Sequence, residues 1–218
     1  MKNIMFKKFG SILLALFVGV SVFSLFPTVT KAETTNVTWS NGSLSTDLWN
    51  GGQGDKATVG KTSGKWYWEV NVSDGPPSVT IIGITSETGN TKSDTWKYHG
   101  LYGYSGEILT KISSDIKRTA YGTTFGQKDT IGLALDMDND TISWYKNGAW
   151  LGSNTARPSQ LGGSQVFPMV MDGNSGKRTF QANFGASQFK YPVPEGFLPY
   201  QESGTSTPNP TPDPNLCL

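Results

Sequence analysis

"GLALDMDNDTISWYKNG", residues 132–148, sets three carboxylates, Asp136, Asp138 and Asp140, within five positions between two apolar runs. A metal site, a catalytic group or a tight turn could each place acids so densely. An EF-hand loop beginning at Asp136 would match at its first, third and fifth positions, but it needs Gly at the sixth for the sharp turn and a bidentate Glu at the twelfth. Those two positions hold Thr141 and Asn147. The alternation gives a fuller account. Ile131, Leu133, Leu135 and Met137 fall on one face of an ascending strand, and Ile142 and Trp144 resume on the return. Between them Asp138, Asn139 and Asp140 tolerate the left-handed backbone that a hairpin tip needs. Asn147-Gly148 marks the next tight turn.

The same strand pattern continues in both directions. In "KWYWEVNV", residues 65–72, Trp66, Trp68, Val70 and Val72 alternate with Tyr67, Glu69 and Asn71. "VTIIGI", "VFPMVM" and "TFQANFG" supply further short runs bounded by Gly, Asn, Asp, Ser and Pro, and no long stretch has helical period. Many short strands without helices predict an all-β, two-sheet antiparallel β-sandwich.

The ends of the chain differ from the middle. Lys2, Lys7 and Lys8, the apolar run "SILLALFVGVSVFSLF" and the small residues Thr30 and Ala32 before Glu33 read as a secretory signal, residues 1–32, cleaved after Ala32. An uncleaved membrane anchor is the alternative. Cleavage would leave a domain of residues 33–200, secreted and without a stable membrane anchor. Residues 201–218, "QESGTSTPNPTPDPNLCL", alternate Pro with Thr, Asn and Asp and read as an extended, solvated linker or tail. Cys217 is the only cysteine, so the domain is expected to hold together without an internal disulfide. Past Ala32 the chain carries 14 basic against 17 acidic groups, a net charge of −3, which argues against nucleic acid as a partner.

Catalytic signals are weak. Sandwich-fold glycosidases can set two or more acids at alternate positions of one strand, where period two puts them near one bond. Glu69 occupies such a slot, but the next two hold Asn71 and Ser73. His99, the only histidine, reads as a surface or loop residue. No phosphate-cradling Gly loop, HExxH or Cys cluster calls for a cofactor or metal. The expectation is therefore a non-enzymatic protein. Trp66, Trp68 and Trp144 are most simply core, whereas Trp49, Trp96, Tyr98, Tyr102, Tyr104 and Trp150 lie in Gly-, Asn- and Ser-rich segments, either as binding anchors or folded back onto the sandwich.

Together "SGKWYWEV", "IIGI", "YGTTFGQKDTIGLALDMDNDTISWYKNGAWLG", "VFPMVMDGNSGK" and "ANFGASQFKYPVPEGFLPY" resemble, in this order, the SPRY domain family, from about Trp39 to Tyr200. The resemblance implies a bent, concanavalin-like sandwich used as a non-catalytic recognition module, with a protein or peptide partner held by its loops. An exported copy with a Pro/Thr tail looks like a bacterial extracellular, stand-alone member, expected to be a monomer. The loops matching the family's binding loops are "TDLWNGGQG", "SETGNTKSDTWKYHG" and "MDGNSGKR", with Trp49, Asn50, Trp96, Tyr98, Asp172 and Asn174 as expected ligand contacts. A carbohydrate-binding module is the alternative, and a glycoside hydrolase a distant third.

Overall fold

The structure is a computed structural model and describes residues 37–40, 44–48, 53–74, 79–87, 96–173 and 177–201. All of these fall within the compact unit Ala32–Leu218. The signal segment, the tail and the candidate contacts Trp49, Asn50 and Asn174 lie outside the described residues.

Two sheets form the domain. The first comprises β1 (Ser45–Leu48), β12 (Arg178–Asn183), β3 (Lys65–Asp74), β8 (Thr130–Asp136), β9 (Thr141–Lys146) and β10 (Ala149–Trp150) in that order. A short β13 (Leu198–Pro199) lies parallel against Trp66 and Tyr67 of β3, the one parallel pairing among the described residues. The second sheet runs β2 (Gln53–Lys56), β11 (Val166–Asp172), β4 (Thr80–Ser86), β5 (Tyr98–Tyr102), β6 (Ile108–Lys111) and β7 (Ile116–Thr119), antiparallel throughout. One 3-10 turn, Pro158–Leu161, packs on β4 and β5.

The inner faces carry the apolar alternation. Trp66, Trp68, Val70, Val72, Ile131, Leu133, Leu135, Ile142 and Trp144 of the first sheet meet Ile82, Ile84, Leu101, Ile108, Val166 and Val170 of the second in one cluster. Each fully buried Trp removes a large apolar area from water, so this layer supplies the main drive to fold. The Trp144 indole N–H also donates to the carbonyl of Ile82 at 2.9 Å, tying the sheets together.

Backbone geometry at residues 137–148 bears out the hairpin reading. Asp140 takes φ 54°, and Asn147 and Gly148 take 50° and 82°, the paired positive angles of a two-residue hairpin turn. The three carboxylates diverge. Asp136 accepts the N–H groups of Asp138 and Asn139 and pairs with Lys65 at 2.9 Å. Asp138 accepts the Gly64 N–H at 2.7 Å, and Asp140 takes both the N–H and the hydroxyl of Ser159 at the 3-10 turn. Each acid anchors a different piece of backbone, so they do not converge on a common point.

Three expectations are corrected. His99 is neither on the surface nor in a loop: it is fully buried on β5. Its Nε2 lies 2.9 Å from the Arg157 carbonyl, which can only accept, so Nε2 carries the proton and Nδ1 accepts from the Thr110 hydroxyl at 2.9 Å. Burial pushes its pKa down to about 4. Trp96 and Tyr98 are likewise not exposed anchors, being 2% and 3% exposed. They belong to a second apolar cluster with Ile81, Tyr102, Leu109 and Met169 on the outer face of the six-stranded sheet. There the Trp96 ring lies so close over Gly54 that a Cβ at that position would overlap it.

Candidate protein-recognition surface

The registers decide which connections meet. Leu48 and Asp74, the last residues of β1 and β3, lie beside Arg178 and Thr179 at the start of β12. Asp172, at the end of β11, pairs with Gln53 at the start of β2 and with Thr80 at the start of β4. Leu48, Gln53, Asp74, Thr80, Asp172 and Arg178, the ends of six strands from both sheets, therefore lie at one end of the sandwich. Residues 120–129 cross between the sheets there, because Thr119 pairs Ile108 and Thr130 pairs Asn71. Ser86, at the end of β4, lies at the opposite end, where it pairs Val166. The strand ends flanking "TDLWNGGQG" and "MDGNSGKR" thus share an end, and the strand end in "SETGNTKSDTWKYHG" lies at the other.

Asp172 forms the base of the shared end. It points inward at the last position of β11 and is 2% exposed, with the Arg178 Nε 3.7 Å from its Oδ2. This pair joins the two sheets at that end. A buried pair of this kind contributes little net stability and fixes geometry instead, since removing either partner strands the other's charge. Above it, at the rim, Asp47 accepts the Thr179 hydroxyl at 2.7 Å and pairs with Lys177 at 2.9 Å. These contacts hold the Asp47 carboxyl below the usual range. The charged groups flanking the loops are already oriented, which lowers the entropic cost of using them for recognition.

One residue at this end was not among the expected contacts. Tyr104 sits in the β5–β6 turn, where the Gly103 N–H donates to the Thr80 carbonyl, and it is 68% exposed. Its ring leans on Tyr102 at 6.2 Å, and the Arg118 guanidinium lies 5.2 Å above Tyr102. Sequence placed Tyr104 with the loop aromatics, but only the register shows that its turn belongs to this end. Arg178 gave no such signal, because its partner Asp172 lies on the other sheet.

The opposite face of the seven-stranded sheet explains Glu69. Its carboxylate is buried, and its two oxygens accept the backbone N–H groups of Lys190 and Tyr191, each at 2.9 Å. The Tyr67 hydroxyl adds a third bond at 3.2 Å. Phe189 packs edge-on against Tyr67 at 5.0 Å, and Tyr191 lies against Gly148, where a Cβ would overlap the ring. Glu69 therefore holds down the closing segment "FKYPVPEGF" across the sheet. The remaining shallow groove, about 270 Å³, is lined by Asn71, Thr130, Gln181, Asn183 and Lys190. Its asparagines are committed to backbone: Asn71 donates to the Asp129 carbonyl and Asn183 to those of Ser187 and Gln188.

Residues 65–187 match the SPRY domain family, and the chain belongs to that family. SPRY domains are in general non-catalytic protein–protein interaction modules. Strands β1, β2 and β13 lie outside the matched span but pair into the same two sheets. The chain is 32% identical over 152 residues to the ATP-dependent RNA helicase Ddx1 of Drosophila melanogaster, an alignment covering 69% of this chain and 20% of the helicase. It is 34% identical over 149 residues to the E3 ubiquitin-protein ligase RKP of Arabidopsis thaliana, covering 65% of this chain and 11% of the ligase. The chain thus matches a fifth or less of either relative's length. In fold it is similar to the SPRY domain of human HERC1, with a TM-score of 0.51, 19% identity, and coverage of 66% of this chain and 96% of that one.

Proposed function

We propose that this protein is a secreted, non-catalytic recognition module that binds a protein partner through the end of the sandwich marked by Leu48, Gln53, Thr80, Asp172 and Arg178. The observation that carries this reading is the Asp172–Arg178 pair, buried between the sheets at that end. It fixes the spacing of the loop stems, as a binding site built from loops on a rigid scaffold requires. Trp49, Asn50, Asn174 and Tyr104 are the proposed contacts, with the aromatics supplying area and the amides directional hydrogen bonds. Trp96 and Tyr98 act in the second apolar cluster instead. The lysine-led apolar segment before Glu33 supports export.

Site-specific photocrosslinking tests the reading. A photoreactive residue at Trp49 or Asn174 is expected to crosslink one partner protein from the extracellular medium, while the same residue at Leu198 does not. Equal crosslinking at all three positions would count against a site at this end.

A further inference from the structure

β7 is exposed over three of its four residues and forms one edge of the six-stranded sheet. Among the described residues, no backbone or side-chain group outside β6 hydrogen-bonds to the backbone of Ile116–Thr119. The outward row of N–H and C=O groups is open, which is the template for pairing with another strand. The other edges are less available. β2 is met by Trp39, which bridges to Ala57; β10 has two residues; and β1 has two of its four residues buried.

The side chains along this edge are particular. Ile116 is 47% exposed, and Ile112, just before it, 40%. By register Ile116 lies beside Lys111 and Arg118 beside Leu109, both on the outer face, while Lys117 lies beside Thr110 on the inner. The nearby acids are Glu107 and Asp115. Glu107 is engaged by the Ser105 hydroxyl at 2.6 Å and by Arg118 at 3.2 Å. Lys111 and Lys117 form no ion pair among the described residues, so the edge keeps a positive excess.

We infer that β7 is a second docking surface, which takes an extended acidic peptide of a protein partner by strand addition. The inference rests on the reading of the domain as a protein-binding module but not on its loop end. Backbone hydrogen bonds supply affinity, and alternate side chains supply selection. An apolar residue of the peptide covers Ile116 on the outer face, and a carboxylate meets Lys117 on the inner. Lys117 and Arg118 both oppose a second copy of this chain. Directly opposite residues share a face, so antiparallel pairing of β7 with itself sets either Lys117 opposite the Lys117 of the second copy or Arg118 opposite its Arg118, and like charges directly opposite destabilise a sheet. The edge thus excludes itself and admits a strand of opposite charge.

Four end-capped seven-residue peptides test this against the full-length protein by fluorescence anisotropy: alternating Glu and Val, alternating Lys and Val, and two forms of the Glu/Val peptide, one with each set of alternate backbone amides N-methylated. The unmethylated Glu/Val peptide is expected to bind, with one N-methylated form unchanged and the other weakened at least tenfold. In Lys117→Glu/Arg118→Glu, whose melting curve is expected to match wild type, preference switches to the Lys/Val peptide. Failure of the Glu/Val peptide to bind at millimolar concentration, or equal binding by the charge-reversed variant, would overturn the inference. Self-association of the wild type that the charge reversal abolishes would overturn it in favour of a second copy. Loop-end crosslinking that survives the charge reversal would show that the failure belongs to this edge alone.

Discussion

Trp144 and Ile82 sit on opposite sheets, yet the indole N–H of one donates to the backbone carbonyl of the other at 2.9 Å inside the core. The bond joins the best-read hairpin of the sequence to the strand that carries Thr80 at the proposed recognition end. Trp144→Ala is expected to cost about 3–5 kcal/mol, the usual range for a buried Trp. Trp144→Phe keeps most of the packing but strands the Ile82 carbonyl, and should still cost about 1–3 kcal/mol. Urea unfolding of both variants measures the difference. A Phe variant as stable as wild type would show that the cross-sheet bond contributes nothing.

The hairpin acids should differ in cost according to what each one holds. Asp136→Ala removes a nearly buried carboxylate that accepts Asp138, Asn139 and Lys65, and is expected to lose about 2–3 kcal/mol. Asp140→Gly relieves a residue at φ 54° but gives up its two bonds to Ser159, so it should stay within about 1 kcal/mol of wild type. Calcium should shift the midpoint of neither variant.

His99 gives the fold a pH dependence with a definite sign. Its pKa is about 4 in the folded chain against an ordinary 6.5, so between those values the unfolded chain binds a proton that the folded chain excludes. Stability therefore rises with pH across this window, is complete above about pH 6.5, and is lost as pH falls toward 4, by on the order of 3 kcal/mol. In His99→Gln the slope of the melting temperature between pH 4.5 and 6.5 should flatten relative to wild type. An unchanged slope would assign the dependence to other groups.

Much of the fold is legible because its signals are local. The turn residues Asp138, Asn139, Asp140 and Asn147-Gly148, and the alternation of Trp66, Trp68, Val70 and Val72, depend only on neighbours in sequence. β5 is not legible in this way. All five residues Tyr98–Tyr102 are buried, so no polar alternation marks them, and Gly100 removes one side chain from the pattern. That is why His99 and Tyr98 read as loop residues. The candidate site divides in the same manner. Asp172 stands out at the end of "VFPMVM", but its pairing with Arg178, and the nearness of Leu48 and Gln53 to it, are set by register between distant strands.

Trp96 and Tyr98 show the practical consequence of that correction. Both pack against the outer face of the six-stranded sheet, so Trp96→Ala should lower stability by about 3–5 kcal/mol rather than leave it unchanged. Thermal melting of the single variants decides this. A melting temperature equal to wild type would return both residues to the role of exposed anchors.

The claim that recognition belongs to one end of the sandwich is tested most directly by a hydrogen-exchange footprint of the protein bound to its crosslinked partner. Slowed exchange is expected in 46–54 and 171–178 together, with no change in 137–140 at the far end. Slowing at the far end or over the Glu69 face, with 46–54 and 171–178 unaltered, would contradict it.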